Sequence, residues 1–260
     1  MKNIVVIPAV KNKELDKFGG WSWMQYSINA WSYWCKQNNC ELVIYDTTKK
    51  LDISKYRITW QRWFDIFEFL DMKKIQYDKV LMTDACSIPK WDCDNFFELV
   101  GDNLTATYDM DNLGWIYDSV QGYKSLFDNF ELTIMKYINA GFVIFNKSHK
   151  EMFESFKSFF YDNEDKILDL QNNIVRKGTD QTPLNYFLQK NNIAVDILPM
   201  KYRVSHLHRK DLFSYNWQLK EDQTPFFIKY ASVWVFSGFD KTQRNQLMQQ
   251  TWEIVKDKYE

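Results

Sequence analysis

Short apolar runs alternate with helical patterns along the chain. The runs predict buried strands at 4–7, 42–45, 80–82, 142–145, 194–198 and 233–236. Apolar residues at three- and four-residue spacing predict helices over 23–34, 60–72, 153–160, 179–190 and from about 242 onward. Strands that alternate with helices favour an α/β fold with a mostly parallel central sheet flanked by helices. In such sheets, ligands bind beyond the carboxyl ends of the strands.

Polar residues and glycines predict where some of these elements begin. Ser148 and Glu151 have the spacing of a capping box ahead of the helix over 153–160. Thr179 is expected to cap the helix that runs to about Lys190. The pair at 19–20 (GG) predicts a loop after the first strand.

Length and composition describe a protein of ordinary globular character. The 260 residues are 45% hydrophobic, and no linker, repeat or low-complexity tract divides them, so we predict one domain over 1–260. The formal net charge is -1, with 33 basic and 34 acidic residues. Non-specific binding to nucleic acid or to anionic membranes is therefore not indicated.

The cysteines and the lengths of the apolar runs indicate in which cellular compartment the protein is expected. The four cysteines form no CxxC pair and there are three histidines, which favours reduced thiols over a disulfide framework or a zinc site. The first apolar run, 4–7, is too short for the core of a signal peptide. No run reaches the roughly 18 apolar residues that a membrane helix needs. We therefore expect a soluble cytoplasmic protein without a membrane span.

Two predicted strands carry polar residues or glycine at their ends. Asp84 ends the segment 77–84 (YDKVLMTD), where a carboxylate suits a ligand pocket and equally suits capping of the next turn. Asn139 and Gly141 open the strand in 137–142 (YINAGF). Glycine permits close approach of a ligand to the backbone and asparagine offers a donor and an acceptor, although an ordinary turn has the same composition.

Two further segments carry polar residues beside a helix or after a strand. Asp180 and Gln181 open a helix, where they either face a substrate or simply complement the helix dipole. Gly238 and Lys241 follow the last strand, and such a pair either receives a phosphate or forms a plain turn.

Basic residues supply the remaining candidates. Arg62 lies between tryptophans on a helix, where it can stack on a ring or reach a diphosphate. The stretch 201–210 is the densest basic segment and includes Arg203 and His206. It can hold phosphate groups, or it is a solvated basic loop.

The order and spacing of these segments are similar to those of the GT-A glycosyltransferases of the glycogenin and bacterial galactosyltransferase type, family eight. The resemblance covers roughly residues 1–250. It implies a Rossmann-like GT-A fold that binds a nucleotide-diphosphate sugar, usually a UDP sugar, and transfers its hexose to a hydroxyl of a carbohydrate or another acceptor. It also implies that the anomeric configuration is retained.

The resemblance assigns sugar-site roles to five residues. It implies that Arg62 contacts the diphosphate or the sugar, and that Asn139 and Gly141 line the sugar site. Asp180 and Gln181 match an aspartate-glutamine pair that lies near the reacting carbon.

The resemblance also assigns phosphate and metal roles, with two departures. Gly238 and Lys241 match a terminal phosphate-binding element, and Asp84 matches the first acidic residue of the Asp-x-Asp motif. The family implies Mn²⁺ or Mg²⁺, but Cys86 stands at the second acidic position and Val235 at the place of a metal-binding histidine. Both ions prefer oxygen or imidazole ligands, so two of three expected ligands are missing.

Two consequences of the missing ligands are open. Asp92 and Asp94 lie close enough in sequence to replace a ligand. Alternatively, Arg62, Lys241 and the stretch 201–210 supply the positive charge that stabilises a leaving diphosphate without a metal.

Three functional hypotheses follow from the sequence. The first is a hexosyltransferase that uses a nucleotide-sugar donor. The second is a catalytically inactive binding or scaffold protein on the same fold, because metal ligands are missing. The third is a phage-type transferase that acts on modified DNA bases, which the near-neutral charge disfavours. A nucleotidyltransferase is disfavoured because no glycine-rich, arginine-containing loop follows the first strand.

Overall fold

The structure is a computed structural model that describes residues 2–10, 21–46, 52, 55–109, 112–205 and 226–260. Its strands are β1 Lys2–Pro8, β2 Glu41–Tyr45, β3 Tyr77–Thr83, β4 Ser87–Pro89, β5 Leu104–Tyr108, β6 Ile138–Asn146, β7 Val195–Ile197 and β8 Val233–Val235. Its helices are α1 Met24–Gln37, α2 Gln61–Phe64, α3 Ile66–Met72, α4 Leu113–Tyr123, α5 Lys150–Asp162, α6 Glu164–Asp169, α7 Gln181–Lys190, α8 Phe226–Tyr230 and α9 Lys241–Val255.

The strands form a six-stranded sheet in the order β2-β1-β3-β6-β5-β7 and a two-stranded sheet of β4 and β8. Within the large sheet, β1 pairs in parallel with β2, and β5 pairs in parallel with β7. Strand β6 runs antiparallel to β5, with a register shift between Ala106 and Tyr108. The predicted α/β fold with a mostly parallel sheet is therefore confirmed.

The described residues group into two compact units. Unit one comprises Met1–Asp46, Lys79–Leu99 and Leu198–Glu260, and unit two comprises Thr47–Asp78 and Val100–Ile197. A single domain over 1–260 stays a prediction from the sequence. Within the described ranges, none of the helices combines the length and the apolar character required to cross a bilayer.

The core of unit one forms around the buried face of α1. Trp31 and Trp34 lie one turn apart on that face and are fully buried, as their spacing predicts. Trp34 stacks on Phe96 with ring centroids 4.5 Å apart. The indole Nε1 of Trp31 donates to Ser87 Oγ at 3.0 Å, so the tryptophan is buried with its polar atom satisfied.

The core of unit two is built from aromatic side chains of α2 and α5. Phe153, Phe156 and Phe160 recur at three- and four-residue spacing on α5 and are all buried, which confirms the prediction for this helix. Trp60 lies against Phe160 with ring centroids 4.4 Å apart, and Phe64 lies 4.8 Å from the same ring. These contacts pack the short helix α2 onto α5.

Two sequence-based expectations differ from the structure in this region. The predicted continuous helix over 60–72 is interrupted at Asp65, whose φ of -130° is not helical, so α2 and α3 are separate helices. Strand β5 was not predicted, because Leu104–Tyr108 (LTATY) alternates apolar residues with threonines rather than forming an apolar run. Its threonines are buried, since both faces of β5 are covered.

Both predicted helix caps are wrong. The capping box begins at Asn146 instead of Ser148: Asn146 Oδ1 accepts from Ser148 N at 2.9 Å, and His149 Nδ1 accepts from Asn146 N at 3.2 Å. An asparagine at the end of β6 therefore starts a 3₁₀ turn ahead of α5. Thr179 does not cap α7, because its hydroxyl donates to Asp180 Oδ1 at 3.0 Å. The predicted loop at 19–20 lies outside the described residues.

Gly178 sets the chain direction into α7. Its φ is +72°, a conformation that residues with a side chain rarely adopt. A Cβ atom at this position would collide with Ser119 Oγ and Thr182 Oγ1, two buried hydroxyls that hydrogen-bond to each other at 2.6 Å. Only glycine fits this approach to α7.

Replacing Phe160 by alanine should destabilise the protein by about 3–5 kcal/mol, because its ring is fully buried among Trp60, Phe64 and Tyr56. The measurement is urea denaturation followed by circular dichroism. The control is Met135→Ala, at a side chain that is 68% exposed, with an expected change within about 0.5 kcal/mol. Equal effects of the two substitutions would contradict the proposed packing.

Replacing Gly178 by alanine should destabilise the protein by about 2–4 kcal/mol, from the positive φ and from overpacking against Ser119 and Thr182. Gly114→Ala is the matched control, since a Cβ there lies 3.5 Å from its nearest neighbour, Asn112 Oδ1. Because Gly114 lies within α4, alanine should leave stability unchanged or raise it by up to about 1 kcal/mol. A Gly178→Ala protein as stable as the Gly114→Ala protein would contradict this account.

Candidate functional site

A hydrogen-bonded cluster of three polar side chains lies in unit two. Asp109 Oδ2 accepts from Asn139 Nδ2 at 3.0 Å and from Gln181 Nε2 at 2.8 Å. Asn139 Nδ2 also donates to Gln181 Oε1 at 2.9 Å, which closes the triangle. Asp109 is 9% exposed and Asn139 is 5% exposed, whereas Gln181 is half-buried. We call these three residues the amide cluster.

The sheet topology explains why these residues meet. Asp109 follows the carboxyl end of β5, and Asn139 lies at the amino end of β6. Because β6 runs antiparallel to β5, with Tyr108 opposite Ile138, both residues lie at the same edge of the sheet. Helix α7 presents Gln181 from its first turn. An antiparallel strand thus brings its first residues to the edge where parallel strands end.

Backbone groups complete the fixation of the amide cluster. Gln181 Oε1 accepts a second bond from Ala140 N at 3.0 Å, and Asn139 Oδ1 accepts from Gly141 N at 2.7 Å. Both carboxamides therefore have their oxygen and nitrogen engaged within unit two. A side-chain amide held at both ends has a fixed dipole direction.

Asp180 and Arg62 lie next to this cluster. Asp180 is 4% exposed, and its Oδ2 accepts from Trp63 Nε1 at 2.8 Å and lies 3.7 Å from Arg62 Nε. Arg62 is itself buried and donates from Nη1 to Ala140 O at 2.7 Å. The Ala140 carbonyl therefore accepts a hydrogen bond from Arg62, and the Ala140 N–H donates one to Gln181.

The structure thus brings five of the predicted site residues together in unit two and adds one that was missed. The five are Arg62, Asn139, Gly141, Asp180 and Gln181. The missed residue is Asp109, and its signal was weak because β5 itself was not predicted. A carboxylate directly after the segment 104–108 would have been the clue.

Unit one contains the residues to which the sequence resemblance assigns phosphate binding and metal binding. Asp84 follows β3 and is half-buried, and its carbonyl accepts from Ser87 N at 3.0 Å. Cys86 O accepts from Phe236 N at 2.8 Å, and Ser87 pairs with Val235 across β4 and β8. Cys86 and Val235, the two positions that depart from the family pattern, are therefore neighbours on one small antiparallel ribbon.

The residues of this ribbon do not suit a manganese or magnesium ion. Val235 is fully buried and has no donor atom, and Cys86 offers a buried thiol that hard cations avoid. Across the part of the chain that is described, no three His, Cys, Asp or Glu side chains gather within reach of one ion. Asp92 and Asp94 instead pair with lysines, Asp92 with Lys90 at 3.0 Å and Asp94 with Lys201.

Gly238 and Lys241 lie at the turn from β8 into α9. Gly238 is exposed with a φ of +79°, so the turn requires a glycine there. Asp240 caps the helix, with Oδ1 accepting from Thr242 N at 2.9 Å. Lys241 is exposed at the first position of α9.

In the described part of the basic stretch, Arg203 is buried whereas Lys201 is exposed. Arg203 is 5% exposed and precedes Val204, whose N–H donates to Val233 O at 3.0 Å and whose carbonyl accepts from Val235 N at 3.0 Å. Lys201 donates to Asp94 Oδ2 at 2.5 Å, and this bond lowers the pKa of the Asp94 carboxyl. His206 lies outside the described residues.

Sequence reasoning also missed Arg244 in unit one. It lies one turn into α9, with its guanidinium carbon 3.8 Å from the ring centroid of Trp23. Burial lowers the pKa of Arg244, while Cys86, Asp84 and Asp240 raise it. No motif marks this arginine in the sequence, because its partner Trp23 is more than two hundred residues away in the chain.

Comparison with known proteins identifies the fold. No protein-family model matches the sequence, and no curated protein matches it either. Among solved structures, a glycosyltransferase involved in the glycosylation of the major capsid of PBCV-1 superposes with a TM-score of 0.57 at 8% identity, over 96% of this chain and 100% of that chain.

A second solved structure is the apo-form glycosyltransferase GlyE of Streptococcus pneumoniae TIGR4, with a TM-score of 0.50 and 12% identity, over 100% of this chain and 63% of that one. These structural neighbours are glycosyltransferases of the GT-A type. At such low identity the likeness concerns the fold alone. The chain has the α/β fold of the GT-A glycosyltransferases, as the sequence resemblance implied.

Proposed function

We propose that this protein is a glycosyltransferase that moves a hexose from a nucleotide-diphosphate sugar, most naturally a UDP sugar, to a hydroxyl acceptor with retention of configuration. The amide cluster carries the proposal. Its central carboxylate, Asp109, orients the half-buried amide of Gln181 both directly and through Asn139. The GT-A fold, shared with known glycosyltransferases, supports the same reaction class.

The burial of the polar groups argues for a function beyond stability. Burying carboxylates is costly, and apolar residues of similar volume stabilise a core at least as well as a buried ion pair. Unit two nevertheless buries Asp109 and Asp180 within hydrogen-bond reach of Asn139, Gln181 and Trp63. Fixed dipoles of this kind stabilise charge that develops in a transition state without having to reorient.

The proposed reaction breaks the bond between the anomeric carbon and the terminal phosphate oxygen of the donor. The acceptor hydroxyl oxygen forms the new glycosidic bond, and its proton passes to the departing diphosphate. Positive charge develops at the sugar ring in between, as it does in glycoside cleavage generally. We assign Asp180 and Gln181 to this centre, where the Gln181 carbonyl dipole and the nearby carboxylate favour positive charge.

The remaining residues bind or position in this proposal. Arg62 and Asn139 hold the segment 139–141 against Gln181, and Gly141 keeps that segment free of a side chain. Asp109 fixes the amide plane of Gln181. Asp84, Gly238, Lys241 and Arg203 are assigned to the diphosphate or to phosphate groups of the acceptor. Because Cys86 and Val235 do not suit a divalent ion, we propose that transfer proceeds without one.

Donor turnover tests the proposal. The full chain is incubated with a panel of UDP hexoses in EDTA, and release of UDP to water or to added sugar acceptors is measured. Release from at least one donor is expected. Gln181→Ala should lower kcat about 100-fold, the loss typical when a preorganised dipole is removed from a transition state. Gln189→Ala, two turns further along α7, should stay within about twofold and serves as the matched control.

Asp109→Asn distinguishes catalysis from stability in the same assay. The substitution replaces the carboxylate on which two donors converge by a neutral amide, whose one oxygen is a weaker acceptor, so Gln181 is held less firmly. We expect kcat to fall at least about tenfold with KM nearly unchanged, because only the transition-state interaction is lost. Donor binding without turnover in the native protein would instead favour a catalytically inactive binding protein. If the native protein binds no donor, both glycosyl transfer and nucleotide-sugar binding without catalysis are excluded.

A further inference from the structure

The guanidinium of Arg244 is held in place by an indole ring and by the neighbouring asparagine. Its carbon lies 3.8 Å from the Trp23 ring centroid, and Nε and Nη2 both donate to Asn245 Oδ1, at 3.3 and 3.2 Å. Within the described ranges, Nη1 has no protein acceptor. A planar cation held over an indole retains little freedom, so the donors that remain have a defined direction.

The charges around Arg244 belong to the residues that end β3 and begin α9. Asp84, Cys86 and Asp240 all interact electrostatically with the guanidinium, which stays charged at neutral pH. The Asp240 side chain is occupied as the N-cap of α9. Arg244 N also donates to Asp240 O at 2.8 Å, which fixes the arginine one turn from the exposed turn at Gly238.

A divalent cation has no place in this arrangement. Val235 supplies no ligand atom and Cys86 a poor one, and the ribbon of β4 and β8 holds both positions by backbone pairing. The Arg244 guanidinium, which interacts electrostatically with Asp84, would repel an incoming ion. Unit one thus carries a resident cation that interacts with Asp84, the carboxylate that the sequence resemblance associates with a metal.

We propose that Arg244 replaces the divalent metal, so that its guanidinium binds the terminal phosphate of a nucleoside diphosphate beside Asp84. The assignment of this phosphate to a sugar donor rests on the proposed function. Arginine binds phosphate through parallel N–H bonds to two oxygens, which a lysine or a metal ion does not reproduce. Gly238 keeps the adjacent turn free of a side chain, so a phosphate can approach the backbone there.

Isothermal titration of UDP into the full chain tests this proposal without requiring turnover. In EDTA, the native protein should bind UDP with an affinity within about twofold of that in Mn²⁺. Arg244→Ala should weaken binding at least about tenfold, and Arg244→Lys should give an intermediate loss because it keeps the charge without the planar fork. Lys256→Ala removes one positive charge from the same unit at an exposed salt bridge and should change the affinity by less than about twofold.

The outcomes separate this proposal from the proposed function. UDP binding that requires Mn²⁺, binding unaffected by Arg244→Ala, or no UDP binding by the native protein would each overturn the role of Arg244. UDP binding through Arg244 without turnover of any UDP hexose would overturn glycosyl transfer alone. Thermal unfolding checks that each variant is folded. Arg244→Gln, which keeps most of the side-chain length, provides the same comparison if Arg244→Ala does not fold.

Discussion

The carboxylate of Asp109 is the interaction on which the arrangement of unit two depends. One of its oxygens accepts from both Asn139 and Gln181, which belong to different elements of the fold. Without this shared acceptor, the start of β6 and the first turn of α7 would each leave a donor without its buried partner, at a cost of about 1–3 kcal/mol per group. The antiparallel pairing of β6 with β5 makes this meeting unavoidable, because it places Asn139 beside the end of β5.

In unit one, the main electrostatic feature is the interaction of the Asp84 carboxylate with the guanidinium of Arg244. Asp84 directly follows a buried strand, at the edge of the sheet where α/β proteins bind their ligands. Here Trp23 and Asn245 hold a guanidinium in that neighbourhood. Replacement of a metal site by one arginine would explain why Cys86 and Val235 coexist with an otherwise intact segment order.

The sequence predicts much of the fold because apolar runs report burial directly. Strand β1 and helix α1 were predicted from such patterns, and both are buried where the pattern requires it. The sequence pattern did not predict strand β5, because buried threonines interrupt its run of apolar residues. The helix predicted over 60–72 failed at Asp65, where the backbone leaves the helical region although the apolar spacing continues.

The site was predictable only where its residues form local motifs. Asn139, Asp180 and Gln181 stand in recognisable segments, and the structure joins them into one network through Arg62 and Ala140. Asp109 and Arg244 lack such segments, because their partners lie far away in the chain and only the folded sheet brings them close. Pairings of this kind depend on strand order and helix position, which a pattern of apolar residues does not encode.

The role of Arg244 as the diphosphate-binding cation is best tested by a crystal structure of the protein with a UDP sugar and Mn²⁺, in which anomalous scattering locates manganese. We expect a diphosphate bound to the guanidinium of Arg244, with no manganese peak beside Asp84. A manganese ion between Asp84 and the diphosphate, with Arg244 turned away from the phosphate, would contradict this role.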